Sequence, residues 1–305
     1  MNPHQNSRLH ALCRLVTSGL LLWGSAAAAG SGLETGFEAP DYNGSSDGVP
    51  VAGQNGWYVP NVAGSVDQFI FTYDGNGLGI PADPFGDAQF LGGQTPDIGM
   101  FPRAQLDFNF SQASAWTVFY DITNAFNGEL PASDNISSFS LQDSTVARYF
   151  IAVNTWSNPD TADHWDANYI AFDSTGTPAD PPGLSAGAAW RNLEVGHWYN
   201  LSTTFDFDSN TISFVTITDL ETFETTGFAP NGWYLNGGAT FRPPLPTGLR
   251  FFVGGGNDMM GPAGNVGAFD NLTIVPASGA GSSAPSNSDQ QSVQRARGKA
   301  GATTN

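Results

Sequence analysis

RAQLDFNF, residues 103–110, alternates without a break: Ala104, Leu106, Phe108 and Phe110 fall on one face, and Arg103, Gln105, Asp107 and Asn109 on the other. Successive side chains of a β-strand point to opposite faces, so this period predicts a half-buried strand. The same alternation runs through WTVFYDI (residues 116–122), with Trp116, Val118, Tyr120 and Ile122 together, and through YNLSTTFDF (residues 199–207), with Tyr199, Leu201, Thr203, Phe205 and Phe207 facing inward. Further strand-like runs begin at Asp67 (DQFIFTYD), Arg148 (RYFIAVNTW), Asn168 (NYIAFDS), Thr211 (TISFVTITDL), Leu249 (LRFFVGG) and Gly267 (GAFDNLTIV). Gly, Pro, Asn and Asp separate these runs, and beyond the N-terminal segment none has a helical period. Many short strands with turn residues between them predict an all-β fold, a two-sheet antiparallel jelly-roll sandwich built as a single domain over residues 30–276. NGWY occurs twice, at Asn55–Tyr58 and Asn231–Tyr234, and reads as an Asn-Gly turn entering an aromatic strand start.

The two ends differ from this middle. Residues 1–29 place Arg8 and Arg14 ahead of an apolar run that ends in small residues, the layout of a secretory signal peptide cleaved near Ala28. That run is too short to span a bilayer, so no membrane anchor is expected. Residues 277–305 have almost no apolar content and are expected to form a disordered tail. The expected address is secreted, extracellular or periplasmic. Cys13, the one cysteine, would leave with the signal peptide, so the mature chain must be held by its core and not by disulfides.

Between Gly30 and Pro276 there are five Arg, no Lys and 27 Asp plus Glu, a net charge of −22. Nucleic acid, anionic lipid and acidic polysaccharide are bound through clustered Lys and Arg, and this field opposes them. Neutral glycans and divalent cations remain open as partners, as does an acidic surface that serves solubility alone. The arginines are expected to pair with aspartates inside the fold.

TGFEAPDYNG from Thr35, GQNGWYVP from Gly53, HWYNLSTTFDFDSNTISFVTITD from His197 and VGAFDNLTIVP from Val266, in that order, resemble the concanavalin A-like lectin/glucanase superfamily, and within it secreted bacterial laminin G-like domains. The likeness covers most of residues 36–276. It implies that the first and last strands pair in one sheet, bringing Phe37 and Glu38 near Phe269 and Asp270. It also implies a structural calcium held by Glu38 and Asp270 with backbone carbonyls, a donor set that suits a hard cation. Two edge carboxylates that simply face solvent are the other reading of the same residues.

NPDTADHWDANYIA, residues 158–171, is the densest polar stretch. Trp156 and Trp165 flank Asp160, Asp163, His164, Asp166 and Asn168. A flat aromatic beside Asp, Asn and His hydrogen-bonding groups suits a sugar, and loops carried on a rigid sandwich are where such groups collect. These seven residues are the candidate ligand-binding set. A calcium loop and an ordinary polar connection between strands stay open beside it, although the spacing lacks the glycine of an EF-hand and the paired histidines of a zinc helix. DFDSN, Asp206–Asn210, reads as a hairpin turn.

Other chemistry finds less support. GLSAG, residues 183–187, matches a nucleophile elbow around Ser185, but that elbow needs a strand entering and a helix leaving. Glycoside hydrolysis needs two carboxylates across a groove, and the E-x-D-x-E type patterns that glucanases of the superfamily carry are absent. Glu221 and Glu224 read as turn acids. A polysaccharide lyase would draw on Arg103, Gln105, His164, His197 and Tyr199 for its base and for charge neutralisation. The sequence therefore points first to a secreted, non-catalytic carbohydrate-binding or surface-adhesion module for a neutral glycan or cell-surface component. A carbohydrate-active lyase or hydrolase and a structural extracellular protein are the alternatives.

Overall fold

The computed structural model describes residues 32–277, except 97–98, 127–134, 146–147, 159–162, 180–187, 241–243 and 255–264. The expected signal peptide and tail, Asp160 and the GLSAG segment lie outside the described residues. In chain order the strands are β1 (Leu33–Thr35), β2 (Val49–Pro50), β3 (Ser65–Val66), β4 (Phe69–Thr72), β5 (Gln89–Gln94), β6 (Phe101–Asp107), β7 (Ala115–Phe126), β8 (Asn135–Asp143) and β9 (Arg148–Ser157). They continue with β10 (His164–Phe172), β11 (Pro178–Ala179), β12 (Ala188–Glu194), β13 (Tyr199–Asp206), β14 (Thr211–Asp219), β15 (Thr225–Phe228), β16 (Gly248–Val253) and β17 (Asn265–Pro276). Sheet A runs β15-β14-β13-β7-β17-β5-β4-β2, with β1 also on β17. Sheet B runs β11-β10-β9-β8-β16-β6-β3, with β12 also on β10. All pairings are antiparallel except the short β3–β6 bridge. This is the two-sheet, jelly-roll-type sandwich that the alternation predicts.

The strands follow from the apolar period. Ala104 and Leu106 of β6 are buried, as are Trp116, Val118, Tyr120 and Ile122 of β7 and Leu201 and Phe205 of β13. Strand β6 stops at Asp107, earlier than the alternation suggests, because Asn109 accepts from the Ser111 amide and caps a short 3-10 turn, Phe110–Gln112. Phe110 stays in the core from that turn. Both NGWY tryptophans, Trp57 and Trp233, are 1% exposed and anchor their turns in the same core.

The pairing of first and last strands is present: Thr35 faces Leu272, and Leu33 faces Ile274. Between the sheets the core centres on Phe251, whose ring centroid lies 4.3 Å from Phe269 and 5.7 Å from both Phe139 and Tyr120. Strands β16 and β17 come from opposite sheets, so this contact joins them. Gly267 permits the close approach, because a Cβ there would stand 2.8 Å from the Ser137 Cβ.

A second apolar cluster lies on the outer side of sheet A, where Leu78 and Ile80 pack with Phe71, Phe90, Trp198 and Leu220. They belong to a strap, Asp74–Ala88, that crosses the sheet. Asn76 folds the strap on itself through bonds to the Tyr73 and Ile80 carbonyls and the Ile80 amide, and the Trp198 indole donates to the Pro81 carbonyl at 2.9 Å.

Phe251→Ala is expected to cost about 3–5 kcal/mol of unfolding free energy in a urea titration, the range for removing a large buried aromatic. A loss under about 1 kcal/mol would contradict its place at the junction of the sheets.

Candidate functional site

The outer face of sheet B is assembled from alternate residues of five strands. One cross-strand row reads Gln105, Arg250, Ser140, Ala152, Ile170, and the next reads Arg103, Phe252, Ser138, Asn154, Asn168. A further row sets Asn135, Trp156 and Asp166 side by side. The residues between these point into the core, so the period that builds the hydrophobic interior also places amides, hydroxyls and guanidinia on one outer surface.

Among the described residues, the shielded indole N–H of Trp156 and the shielded side-chain oxygen of Asn168 on this face meet no hydrogen-bond partner. Leaving a buried donor or acceptor unpaired costs about 1–3 kcal/mol.

Across the sheet, a second group is built around Gln105. Its oxygen accepts from Arg250 Nε at 2.9 Å and Nη2 at 2.6 Å, and its Nε2 donates to the Tyr58 hydroxyl at 2.7 Å. Tyr58 in turn donates to the Asp107 carboxylate at 2.7 Å. Burial, then the Asp107 hydrogen bond, push the Tyr58 phenol up from its ordinary value. Arg103 donates to the Ala63 carbonyl and to Ser65 Oγ, with its guanidinium 5.2 Å from the Phe101 ring centroid and 5.1 Å from that of Phe252. Desolvation and then the charge of Arg250 push Arg103 down to about 10. Beyond Asp107 a cleft of about 470 Å³ opens among Phe108, Asn109, Phe110, Ser144, Leu245 and Thr247.

Neither Arg103 nor Arg250 has a carboxylate within 4.0 Å among the described residues, which corrects for these two the expectation that the arginines pair with aspartates. His197 is the residue that gathers acids: its Nε2 lies 2.9 Å from Asp219 and its Nδ1 3.6 Å from Glu221 and 3.8 Å from Glu194. The reason is placement: Arg103 and Arg250 stand on the inner strands of sheet B, among neutral amides and hydroxyls.

The sequence-expected binding set divides between strand and core. His164 to Phe172 is strand β10, so from His164 onward the expected loop is a strand. Trp165 is 0% exposed, packs edge-on against Tyr199 and donates to the Glu194 carbonyl, on the opposite side of the strand from Asp166 and Asn168. The Asp166 carboxylate accepts from Asn158 Nδ2 and the Asn192 amide and so ties β10 to β12. Asp163 is exposed, at φ 65°, and its carbonyl accepts from the Val195 amide. His164 is partly buried at the start of the strand and faces Glu194 in register. Trp156 and Asn168 remain together on the outer face. The residues from which a lyase could be assembled are likewise divided: Arg103 and Gln105 lie on β6, whereas His197 sits in the β12–β13 turn and the Tyr199 hydroxyl accepts from the Glu194 amide. Sequence reading missed Arg250, Tyr58, Ser138, Ser140 and Asn154 as one surface, because strand order sets them side by side. LRFFVGG does signal Arg250, by its alternation, as an outward residue.

Glu38 and Asp270 flank Gly36, whose Cβ position lies 3.7 Å from Glu38 Cγ and from Asp270 Oδ1. Glu38 Oε1 accepts from the Ala88 and Gln89 amides, both at 2.8 Å. Asp270 is fully buried and accepts from the Tyr73 hydroxyl at 2.7 Å and from the Asn271 amide. Beside it, Asp121 accepts from Asn200 and Asn271, while Asp83 meets Asp121 carboxyl to carboxyl and its Oδ2 has no donor. Among the described residues no three His, Cys, Asp or Glu side chains converge on one metal position. Burial, then the charge of Asp121, push the Asp83 carboxyl well up, and burial with the charge of Asp83 does the same to Asp270.

No family model matches the chain, and no curated protein matches it. Among solved structures it is similar to an alginate lyase from Aplysia kurodai (11% identity, TM-score 0.42, covering 64% of this chain and 86% of that one). A cellulose-induced protein (10%, TM-score 0.42, 82% and 100%) and lectin II from Ulex europaeus (9%, TM-score 0.40, 81% and 99%) match to a similar degree. Likeness this loose carries no function. No helix among the described residues is long and apolar enough to cross a membrane.

A carboxyl whose folded pKa is raised contributes its full stability below its ordinary value near 3.8 and loses it as pH rises through the folded value. In EDTA, Asp83→Asn, which turns the orphaned oxygen into a donor toward Asp121, is therefore expected to raise Tm at pH 8. The gain should shrink as pH is lowered toward 4. A gain that is absent at pH 8, or that grows in acid, would contradict the buried carboxyl pair.

Proposed function

We propose that this chain is a secreted carbohydrate-binding jelly roll, concanavalin A-like and of the laminin G-like kind, that lays a glycan across the outer face of sheet B from Trp156 toward the cleft at Asp107. The observation that carries this reading is the cross-strand surface on which Trp156 and Asn168 stand beside Asn154, Ser138 and Ser140, an indole among amides and hydroxyls. Sugar recognition combines an aromatic surface with a few placed hydrogen-bonding groups, and this face offers both. A binding role is favoured over catalysis because the expected proton-transfer candidates, His164 on β10, His197 before β13 and Tyr199 on β13, stand apart from Arg103 and Gln105 on β6.

Affinity electrophoresis on a panel of plant, algal and microbial polysaccharides tests this reading. Trp156→Ala or Asn168→Ala is expected to weaken binding to the polysaccharide that retards the wild type by about tenfold or more, with Tm unchanged or raised. Retardation that neither substitution alters would move the site elsewhere.

A structural calcium beside Asp270 belongs to the same proposal. Its support is the donorless oxygen of Asp83 next to Asp270, a pair of hard carboxylate ligands of the type Ca²⁺ takes along with backbone carbonyls and water. Calcium at about a hundred times its Kd is expected to raise Tm by roughly 5–10 °C over the EDTA sample, and Asp83→Asn to remove that rise. An unchanged Tm would take calcium out of the account.

A further inference from the structure

The outer face of sheet B holds two arginines that no described carboxylate meets directly; Asp107, on the same face, reaches Arg250 only through Tyr58 and Gln105. Within a domain of net charge −22, two of its five arginines, Arg103 and Arg250, stand on adjacent strands of this face, and neither has a carboxylate within 4.0 Å among the described residues. Twenty-seven acidic residues make a chance escape from pairing on both arginines unexpected. Their neighbours in the rows are neutral: Gln105, Ser140, Ser138 and Asn154.

The two arginines differ in what they can do. Arg103 is 5% exposed and held by Ala63, Ser65 and two phenyl rings, so it supplies fixed charge and does not reach a ligand. Arg250 is only partly buried. Its Nε and Nη2 both bind one oxygen of Gln105, which is locked by Tyr58 and Asp107, while Nη1 takes no partner from the described residues. One edge of the guanidinium is thereby fixed, and the other meets no described residue. A planar guanidinium held in this way matches a carboxylate, with two parallel N–H donors for two oxygens.

We propose that Arg250 is a carboxylate-recognising subsite, and that the glycan bound on this face contains uronic acid residues. The inference rests on the glycan-binding reading above and deepens it, replacing a neutral ligand by an acidic one. Two strand spacings across and four residues along separate Arg250 from Trp156, on the order of 15 Å, so one extended oligosaccharide spans both. The net negative field does not oppose this. It discourages polyanions from the rest of the surface, while Arg250, reinforced by Arg103, offers local positive charge on a largely shielded face.

The experiment compares a galacturonic acid oligomer, the same oligomer with its carboxyls reduced to alcohols, and a sulfated neutral oligomer of equal length, by titration calorimetry with the mature protein. Wild type is expected to bind the acidic oligomer at least about tenfold more tightly than the reduced one, with affinity falling as salt rises. Arg250→Gln should erase that difference by weakening only the acidic oligomer. Arg250→Lys, which keeps charge but loses the fork, should recover part of it; unchanged melting curves for both variants confirm folding. Equal affinity for the acidic and reduced oligomers would overturn the uronate subsite and leave the glycan-binding reading in place. Binding of none of the three, together with no retention on the polysaccharide panel, would overturn both. Preference for the sulfated oligomer would show a general anion site and overturn the carboxylate assignment.

Discussion

Strand β17 is the constraint on which the rest of the structure depends. It lies in the middle of sheet A, paired with β7 on one side and with β5 and then β1 on the other. On its inner side Phe269 meets Phe251 of sheet B and closes the core. On its outer side Asp270 is buried beneath the strap, where Gly86 leaves no room for a side chain: a Cβ there would stand 2.5 Å from Asp270 Oδ2. A register shift between Asp270 and Thr273, with Asn271 at φ 48°, changes the phase of the strand so that Leu272 and Ile274 join Phe269 in the core. The extra residue turns the Asn271 side chain back to Asp121 instead of onward along the ladder.

The two outer surfaces of the sandwich have been used differently. On the outer side of sheet A several polar side chains pair with one another, Thr117 with Thr204, Ser202 with Thr216 and Thr218 with Thr225, while Thr123 Oγ1 and Asp83 Oδ2 find no partner among the described residues. On sheet B the same holds for Trp156 Nε1 and Asn168 Oδ1, and neither Arg103 nor Arg250 has a carboxylate within 4.0 Å among the described residues. A self-satisfied surface has little to gain from a polar ligand, because each new hydrogen bond replaces an existing one. The hydroxyl pairs on sheet A therefore offer little to such a ligand.

Charge shows how misleading a whole-chain quantity is about a local site. A net charge of −22 argues against acidic ligands when spread evenly over a surface. The described acids are not spread evenly: Asp219, Glu194 and Glu221 gather round His197 at the edge, and Asp83, Asp121 and Asp270 are buried under the strap. With those acids engaged elsewhere, Arg103 and Arg250 have no carboxylate within 4.0 Å among the described residues, and Asp107 on the same strand as Arg103 is turned to Tyr58.

The sequence by itself determined the fold class, because period-two alternation of apolar residues admits only a sheet with one buried face. RAQLDFNF and WTVFYDI were legible for that reason, as were the hairpin at DFDSN and the pairing of first and last strands through a resemblance in pattern. It also displayed Trp156 and Asn168 as candidates, through composition alone. It could not tell that Trp165 faces the core while Asp166 faces out, because a crowded polar stretch looks like a loop until strand pairing assigns each residue a side. Nor could it unite Gln105 with Arg250, which lie 145 positions apart and meet only because β6 and β16 are neighbours in sheet B. Alternation along a strand is a local property, set by backbone geometry. Strand order is a global one, set by which apolar faces bury each other best, and only the tertiary structure decided it.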